Sequence, residues 1–287
     1  MKKNTQKLLL SLYSVPNVIP VKIRTKSEDS NTRPVTANNE FEHVITGDFN
    51  RGEMGTGGGR IKLSNLNIVL YDLTEGGKRS LLHFLKQRGL INSERVLGTT
   101  SIGITPHGIK ALEDQFPALS PKWDAWQGNW DCLVFVKAPK TDKQFRYLRG
   151  LLVAEGAVSI SRGVYAAPFS FSEKVTQECE QLYQDSILLF SVGSWKIASL
   201  RSLIIEKYGL LDTVESYSGI SNDISRLLTS LDTNKRLTDR HKTELNLVYD
   251  RLIDILTEDP GFCGYYFNEI PNVKEMLSKL NFIITTY

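Results

Sequence analysis

Cysteine is scarce and scattered in this chain. Cys132, Cys179 and Cys263 are the only three in 287 residues. An odd, widely spaced set fits neither a disulfide framework nor a zinc site. Histidine is as thin: His43, His83, His107 and His241 stand far apart, without the short spacings that bring two ligands to one metal. Long apolar runs are missing, since nothing approaches the ~20 uninterrupted apolar residues of a membrane span. The basic start, Met1-Lys-Lys-Asn-Thr-Gln-Lys-Leu-Leu-Leu10, begins like a signal peptide. Its apolar run breaks at Ser11 and no small-residue cleavage site follows. The expectation is a cytoplasmic protein that opens on an amphipathic helix and has no membrane partner. Nucleophile elbow, Cys–His spacing and a carboxylate pair in a cleft context are absent as well, so no catalytic residue and no cofactor is expected.

What is present is unevenly charged. Residues 1–122 hold 17 Lys+Arg against 11 Asp+Glu, and the remainder holds 18 against 21. A basic front on a mildly acidic back favours a polyanionic partner at the front.

Periodicity divides the chain into three parts. Leu8, Leu9, Leu12 and Tyr13 give the first helix an apolar face, and Pro16 and Pro20 end it. Residues 24–60 are polar and broken, with five glycines between Gly52 and Gly59, and read as a long loop or insertion. Phe41 to Phe49 has room for a short hairpin inside it. Ile61 to Leu73 resumes apolar patterning. Thr74 then precedes a helix running to Arg88: Thr74 caps it, Glu75 suits its positive end, Lys86 and Arg88 its negative end, and Gly89 stops it. Leu81, Leu82 and Leu85 form its buried face. Asn92 to Ile104 reads as two short strands turning near Gly98-Thr99. Thr105 and Pro106 start another helix through Leu112. Trp130 to Val136, Gly156 to Ile160, Gly163 to Ala167 and Ser186 to Val192 read as strands, with helices over Thr141 to Ala154 and Glu173 to Tyr183. That βαββαβ order is the ferredoxin-like one. Beyond Trp195 the chain turns helical, at Ile197 to Tyr208, Ile220 to Leu231, Asp239 to Glu258 and Val273 to Leu280.

The helix–hairpin–helix from Thr74 to Leu112 carries the argument for DNA. A recognition helix enters the major groove with its N-terminal residues nearest the bases. Gly76 and Gly77 weaken its first turn by roughly 1 kcal/mol each, which close backbone approach to a phosphate would justify. Lys78, Arg79, Ser80, His83 and Lys86 lie on or beside the face away from the leucines; Arg95, Thr99 and Thr100 sit on the wing. The bland alternative is a solvated basic helix beside an ordinary hairpin. Gly52 to Arg60 invites a phosphate-loop reading but lacks the Gly-Lys-Ser/Thr ending. Trp123, Trp126, Trp130 and Trp195 suit a base-stacking platform or, preferred here, packing anchors at strand ends.

These residues resemble the PaaX family of bacterial repressors. The likeness rests on Arg79-Ser-Leu-Leu-His-Phe-Leu-Lys-Gln-Arg-Gly-Leu-Ile91 with Ile102-Gly-Ile-Thr-Pro-His-Gly108, and on Trp130 to Pro139. It extends through Leu148-Arg-Gly-Leu-Leu-Val-Ala-Glu-Gly156, Gly163-Val-Tyr-Ala-Ala-Pro168, Leu247-Val-Tyr-Asp-Arg-Leu-Ile253 and Glu258-Asp-Pro-Gly-Phe262. The resemblance implies an α+β chain of three parts. A winged helix-turn-helix occupies 1–122, with the polar insertion near 24–60. A ferredoxin-like dimerisation domain, related to the small nuclease-like subunit of CRISPR adaptation, occupies 123–195. A helical domain occupies 196–287. Residues 24–60 have no family counterpart, and Gly261-Phe262 and Pro271-Asn272 stand where the family shows leucine-proline and tryptophan-glycine, so the chain reads as a divergent member. The function implied is a homodimeric repressor of double-stranded DNA, released by a small-molecule, acyl-CoA-like effector. The alternatives are an interaction module that has lost DNA binding and a metal-dependent nuclease. Against the latter, the first strand of the middle domain ends at Lys137, the wrong charge for a divalent cation.

Overall fold

A computed structural model of the chain describes residues 1–13, 60–96, 98–137, 143–193, 200–234, 237–267 and 270–287. The insertion up to residue 59, its expected hairpin, the glycine-rich loop and Trp195 lie outside the described residues. The chain is mixed helix and sheet, with two antiparallel sheets, and is therefore α+β.

The first helix, α1 (Lys3–Leu12), is not the surface helix its leucine spacing suggests. Every residue from Thr5 to Leu12 is buried. It packs on α4 (Pro106–Gln115), α9 (Asp239–Glu258) and α11 (Val273–Thr286). Two of those helices come from the far end of the chain, so local periodicity carries no trace of them. The buried ammonium of Lys7 is compensated: its Nζ lies 2.9 Å from Asp250, 3.8 Å from Asp72 and 3.3 Å from Asn246 Oδ1. Asn246 in turn donates to the carbonyl of Ile68 at 3.0 Å.

After the insertion come β1 (Arg60–Lys62), α2 (Leu66–Val69), α3 (Glu75–Gln87), β2 (Ile91–Val96) and β3 (Thr99–Ile104). The sheet order is β1-β3-β2, antiparallel throughout. Thr74 caps α3 by accepting from Gly77 N–H at 3.2 Å, and Thr105 caps α4 by accepting from Gly108 N–H at 3.0 Å. A Cβ at Gly108 would stand 2.2 Å from the carbonyl oxygen of Leu90, so glycine is what lets the first turn of α4 press onto the connection between α3 and β2. One cluster of buried side chains runs from α1 through Leu66, Leu85, Ile102 and Leu112 into α8 (Leu210–Asn234), α9 and α11. The amino-terminal and carboxyl-terminal parts thus share a core.

The middle segment is β4 (Trp130–Phe135), α5 (Lys143–Ala154), β5 (Val158–Ser161), β6 (Val164–Ala167), α6 (Glu173–Leu182) and β7 (Ile187–Val192), with sheet order β5-β6-β4-β7. One face packs on α5 and α6 through Leu133, Tyr165, Leu148 and Val175. The other face packs Trp130, Cys132 and Ala166 against Phe262, Cys263 and Ile204. Ile204 lies on α7 (Leu200–Lys207) and Cys263 opens α10 (Cys263–Tyr266).

Helix α8 is about twice the length expected over Ile220 to Leu231. It starts after Gly209 at φ +59. Leu210, Thr213, Tyr217, Ile220, Ile224, Leu227 and Leu231 hold a strict three–four spacing and are all buried. Its serine- and threonine-rich first half hides that stripe from composition. The Asp259-Pro260-Gly261 turn that ends α9 is tied to α8, because the buried Asp259 carboxylate accepts from Tyr217 OH and from Gly261 N–H, each at 2.7 Å. Gly261 has φ +100, and a Cβ there would meet Trp123 Nε1 at 2.1 Å.

Two outcomes are expected in chemical denaturation. Lys7→Ala removes the nearer of the two lysines on Asp250 and leaves Lys3, at 3.6 Å, as its remaining partner. Because Asp250 keeps some solvent contact, the loss falls at about 2–3 kcal/mol, below the full range for a buried pair; Lys3→Ala on the exposed end of α1 costs under ~1 kcal/mol. Burial holds the Asp259 carboxyl above its ordinary value, against the hydrogen bonds from Tyr217 and Gly261. The unfolded chain therefore releases that proton first, and the folded state loses stability as pH rises from the ordinary carboxylate value to the raised one. Asp259→Asn removes this loss, so the variant gains on wild type as pH rises above the ordinary carboxylate value of about 4. A stability difference independent of pH contradicts it.

Candidate nucleic-acid interface

Helix α3 and the β2–β3 hairpin stand side by side on the front part. Leu85 is fully buried, and Leu81 and Leu82 pack partly against the shared core. The residues expected on the outer face divide into two groups. Arg79, Ser80, His83 and Lys86 are exposed. Arg79, His83 and Lys86 follow one another at four- and three-residue steps, so they form a single stripe along the helix.

Lys78 stands apart from that stripe. Positions 78, 81, 82 and 85 obey the i, i+3, i+4, i+7 rule of a buried face, so Lys78 is on the leucine side rather than away from it. Its side chain is only 12% exposed, and its Nζ is held by Glu75 at 2.8 Å and Asn67 Oδ1 at 2.7 Å. It joins α3 to α2 and does not project outward. The same spacing was present in the sequence and places Lys78 once its stem is treated as apolar.

On the hairpin, Arg95 pairs across to Thr100 and Val96 to Thr99. Arg95 and Thr99 are exposed and Thr100 is half-buried. Gly98 makes the turn at φ +82; Leu97 lies outside the described residues. Arg60 forms an ion pair with Glu94 across the sheet, so its charge is partly cancelled. Between helix and hairpin a cavity of about 140 Å³ is lined by Leu63, Leu82, Lys86, Ser93 and Thr100. The structure also exposes Phe84, 45% accessible beside the basic stripe, with the Arg88 guanidinium 5.4 Å above its ring. Phe84 falls outside the buried i, i+3, i+4 stripe of α3, so apolar spacing alone gives it no role. Glycine at position 76 meets nothing: a Cβ there has no atom within 4 Å.

The other candidate chemistry has structural partners. Trp123 and Trp130 pack edge-on with Phe262, Trp126 packs tilted against it, and Trp123 and Trp126 stand edge-on at 5.4 Å between centroids. The indole N–H of Trp123 donates to Pro117 O and that of Trp126 to Asn129 O. A cavity of about 240 Å³ opens beside them, lined by Lys122, Asp131 and Phe169 among others; typical small-molecule sites start at roughly 300 Å³. Burial pushes the thiols of Cys132 and Cys179 up to about 11 and that of Cys263 up to about 12, so they are protonated at neutral pH and poor nucleophiles. Among the described residues no group of three or more His, Cys, Asp or Glu could hold a metal ion, and no helix is long and apolar enough to cross a membrane.

No family model matches the chain, and no curated protein matches it. Among solved structures, an uncharacterized protein, Rv0674 from Mycobacterium tuberculosis, is similar at 16% identity with a TM-score of 0.36, over 79% of this chain and 87% of that one. A likeness of that size carries no argument about fold or function.

The division of α3 into an inner and an outer lysine–arginine pair is testable by stability. Lys78→Ala, which removes an ion pair and a packed stem, is expected to cost about 0.5–1 kcal/mol. Arg79→Ala stays within ~0.5 kcal/mol of wild type, as for surface changes generally. Equal losses in urea titrations of the two variants would contradict the assignment.

Proposed function

We propose that this protein is a sequence-specific double-stranded DNA-binding transcription regulator, a divergent repressor of PaaX type acting as a homodimer. The observation that carries the proposal is the exposed basic stripe of Arg79, His83 and Lys86 on α3, set against a hairpin bearing Arg95 and Thr99. The element order α1-β1-α2-α3-β2-β3 with sheet order β1-β3-β2 supports a winged helix-turn-helix, in which α3 is the recognition helix and β2–β3 the wing. The order β5-β6-β4-β7 likewise supports a ferredoxin-like middle domain.

In this reading α3 enters a major groove from its capped end. The first-turn amides, unshielded at Gly76, approach a phosphate where the helix dipole favours negative charge. Ser80 and His83 face base edges, while Arg79 and Lys86 straddle them toward phosphates. Arg95, Thr99 and Thr100 meet the flanking backbone or minor groove. Lys78 acts one layer back, fixing the start of α3 on α2. A dimer reading two half-sites demands a roughly palindromic operator. A small-molecule effector releases DNA by favouring a dimer geometry with the wrong half-site spacing.

The test is fluorescence anisotropy on a duplex selected from genomic fragments, repeated over a salt series. Wild type is expected to bind on the order of 10⁻⁸ M or tighter. The Arg79→Ala, Lys86→Ala double variant should bind at least tenfold more weakly, with a salt slope shallower by about 0.9 log units per lost phosphate contact. Lys78→Met is expected to change that slope little. Operator binding unaltered in the double variant contradicts the placement of α3, and failure to select any duplex contradicts the function.

A further inference from the structure

We propose that the β7 edge is the seam through which two copies of this chain pair, antiparallel about a two-fold axis, to join their sheets into one of eight strands. This deepens the homodimer of the function proposed above by naming the surface that forms it.

β7 is an edge strand in the order β5-β6-β4-β7. Its backbone phase follows from two bonds: Phe135 N–H donates to Gly163 O on the β6 side, and Val136 N–H to Ser186 O on the β7 side. Even-numbered residues of β4 therefore address β7. Their partners Leu188, Phe190 and Val192 turn their amides and carbonyls inward. Ile187, Leu189 and Ser191 turn theirs outward. The outward amide of Ile187 is met by Tyr183 O at 3.1 Å; among the described residues no backbone group meets the amide or carbonyl of Leu189 or Ser191.

The side chains on that edge are apolar on both faces. Leu188, Leu189 and Phe190 are 57%, 39% and 47% exposed, and Val136 and Leu182, each 54% exposed, flank the strand's start. Ser186 to Val192 contains no charge and no proline. Lysines, prolines and bulges are the devices that keep a free edge from recruiting another strand, and this edge has none of them between those residues.

A second copy fits better than another occupant because the strand matches itself. Each copy brings the same outward amide and carbonyl at Leu189, and neither brings a charge that pairing would strip of water. An axis at Leu189 sets Leu188 of one copy against Phe190 of the partner subunit on the same face. The five exposed side chains offer on the order of 400–500 Å² at ~200 Å² per large residue. With the paired backbone added, that approaches the ~800 Å² per partner of a stable interface.

The experiment uses the full chain without DNA. Light scattering at roughly 10–100 µM protein, ample for an interface of standard size, is expected to give about twice 32.4 kDa. Leu189→Lys and Phe190→Glu replace exposed side chains, so far-UV circular dichroism stays as in wild type while dimer dissociation constants rise ~100-fold or more, a hot-spot loss. Leu211→Lys, at an exposed position on α8, remains dimeric. A monomeric wild type, or a Leu189→Lys variant that dimerises as tightly, overturns the seam. A dimer that selects no DNA retains the seam and overturns the regulator reading instead.

Discussion

The arrangement of the molecule depends on the burial of α1. A ten-residue helix with three leucines in a row, Leu8, Leu9 and Leu10, all fully buried, has apolar partners on every side. Its contacts reach α2, β3 and α4 in front and α9 and α11 behind. The ion pairs of Lys7 with Asp250 and Asp72 add direction to that packing. A buried charge needs its partners beside it: Asp250 on α9 stands 2.9 Å from the Lys7 ammonium, and the exposed Asp72 of the α2–α3 turn 3.8 Å from it. The candidate recognition helix begins three residues after Asp72, and its first turn is further fixed by Lys78 on Asn67 and Glu75.

Function, in the proposed reading, follows from that rigidity. A helix that reads bases must be placed within tenths of an ångström by its supporting shell. The front sheet, α1 and the carboxyl-terminal helices supply such a shell through one continuous core. The middle sheet is coupled to them more narrowly, through the aromatic junction of Trp123, Trp126, Trp130 and Phe262. There Gly261 clears the space that Trp123 fills. If the two-fold axis crosses β7 at Leu189, this junction sets the distance between the two α3 helices, and a ligand altering it changes half-site spacing without touching DNA.

Much of this was legible beforehand, for identifiable reasons. Both ends of α3, the start of α4 and the end of α9 were, because Thr74, Gly89, Thr105 and Asp259-Pro260 are local signals with local causes; α4 runs on past Leu112 to Gln115. The strands of the middle segment were, because Trp130 to Phe135 and Val164 to Ala167 are apolar runs between turns. The surroundings of α1 were not, since its partners lie more than two hundred residues away. Helix α8 was half visible: its stripe is regular, but serine and threonine between the apolar positions lowered its apparent length. At the candidate site the outer stripe was legible and Lys78 was misplaced, although its spacing to Leu81, Leu82 and Leu85 was in plain view. Its charge had been given more weight than its position. Phe84 and the free edge of β7 escaped because sequence patterns register what is apolar, not what is left uncovered.

The most direct measurement is hydrogen–deuterium exchange of the full-length protein with and without a selected duplex. The account predicts new protection in Glu75 to Arg88 and in the hairpin from Ile91 to Ile104, with the middle sheet and the carboxyl-terminal helices unchanged. Protection centred on the middle sheet or on α9, with α3 exchanging as in the free protein, would contradict it.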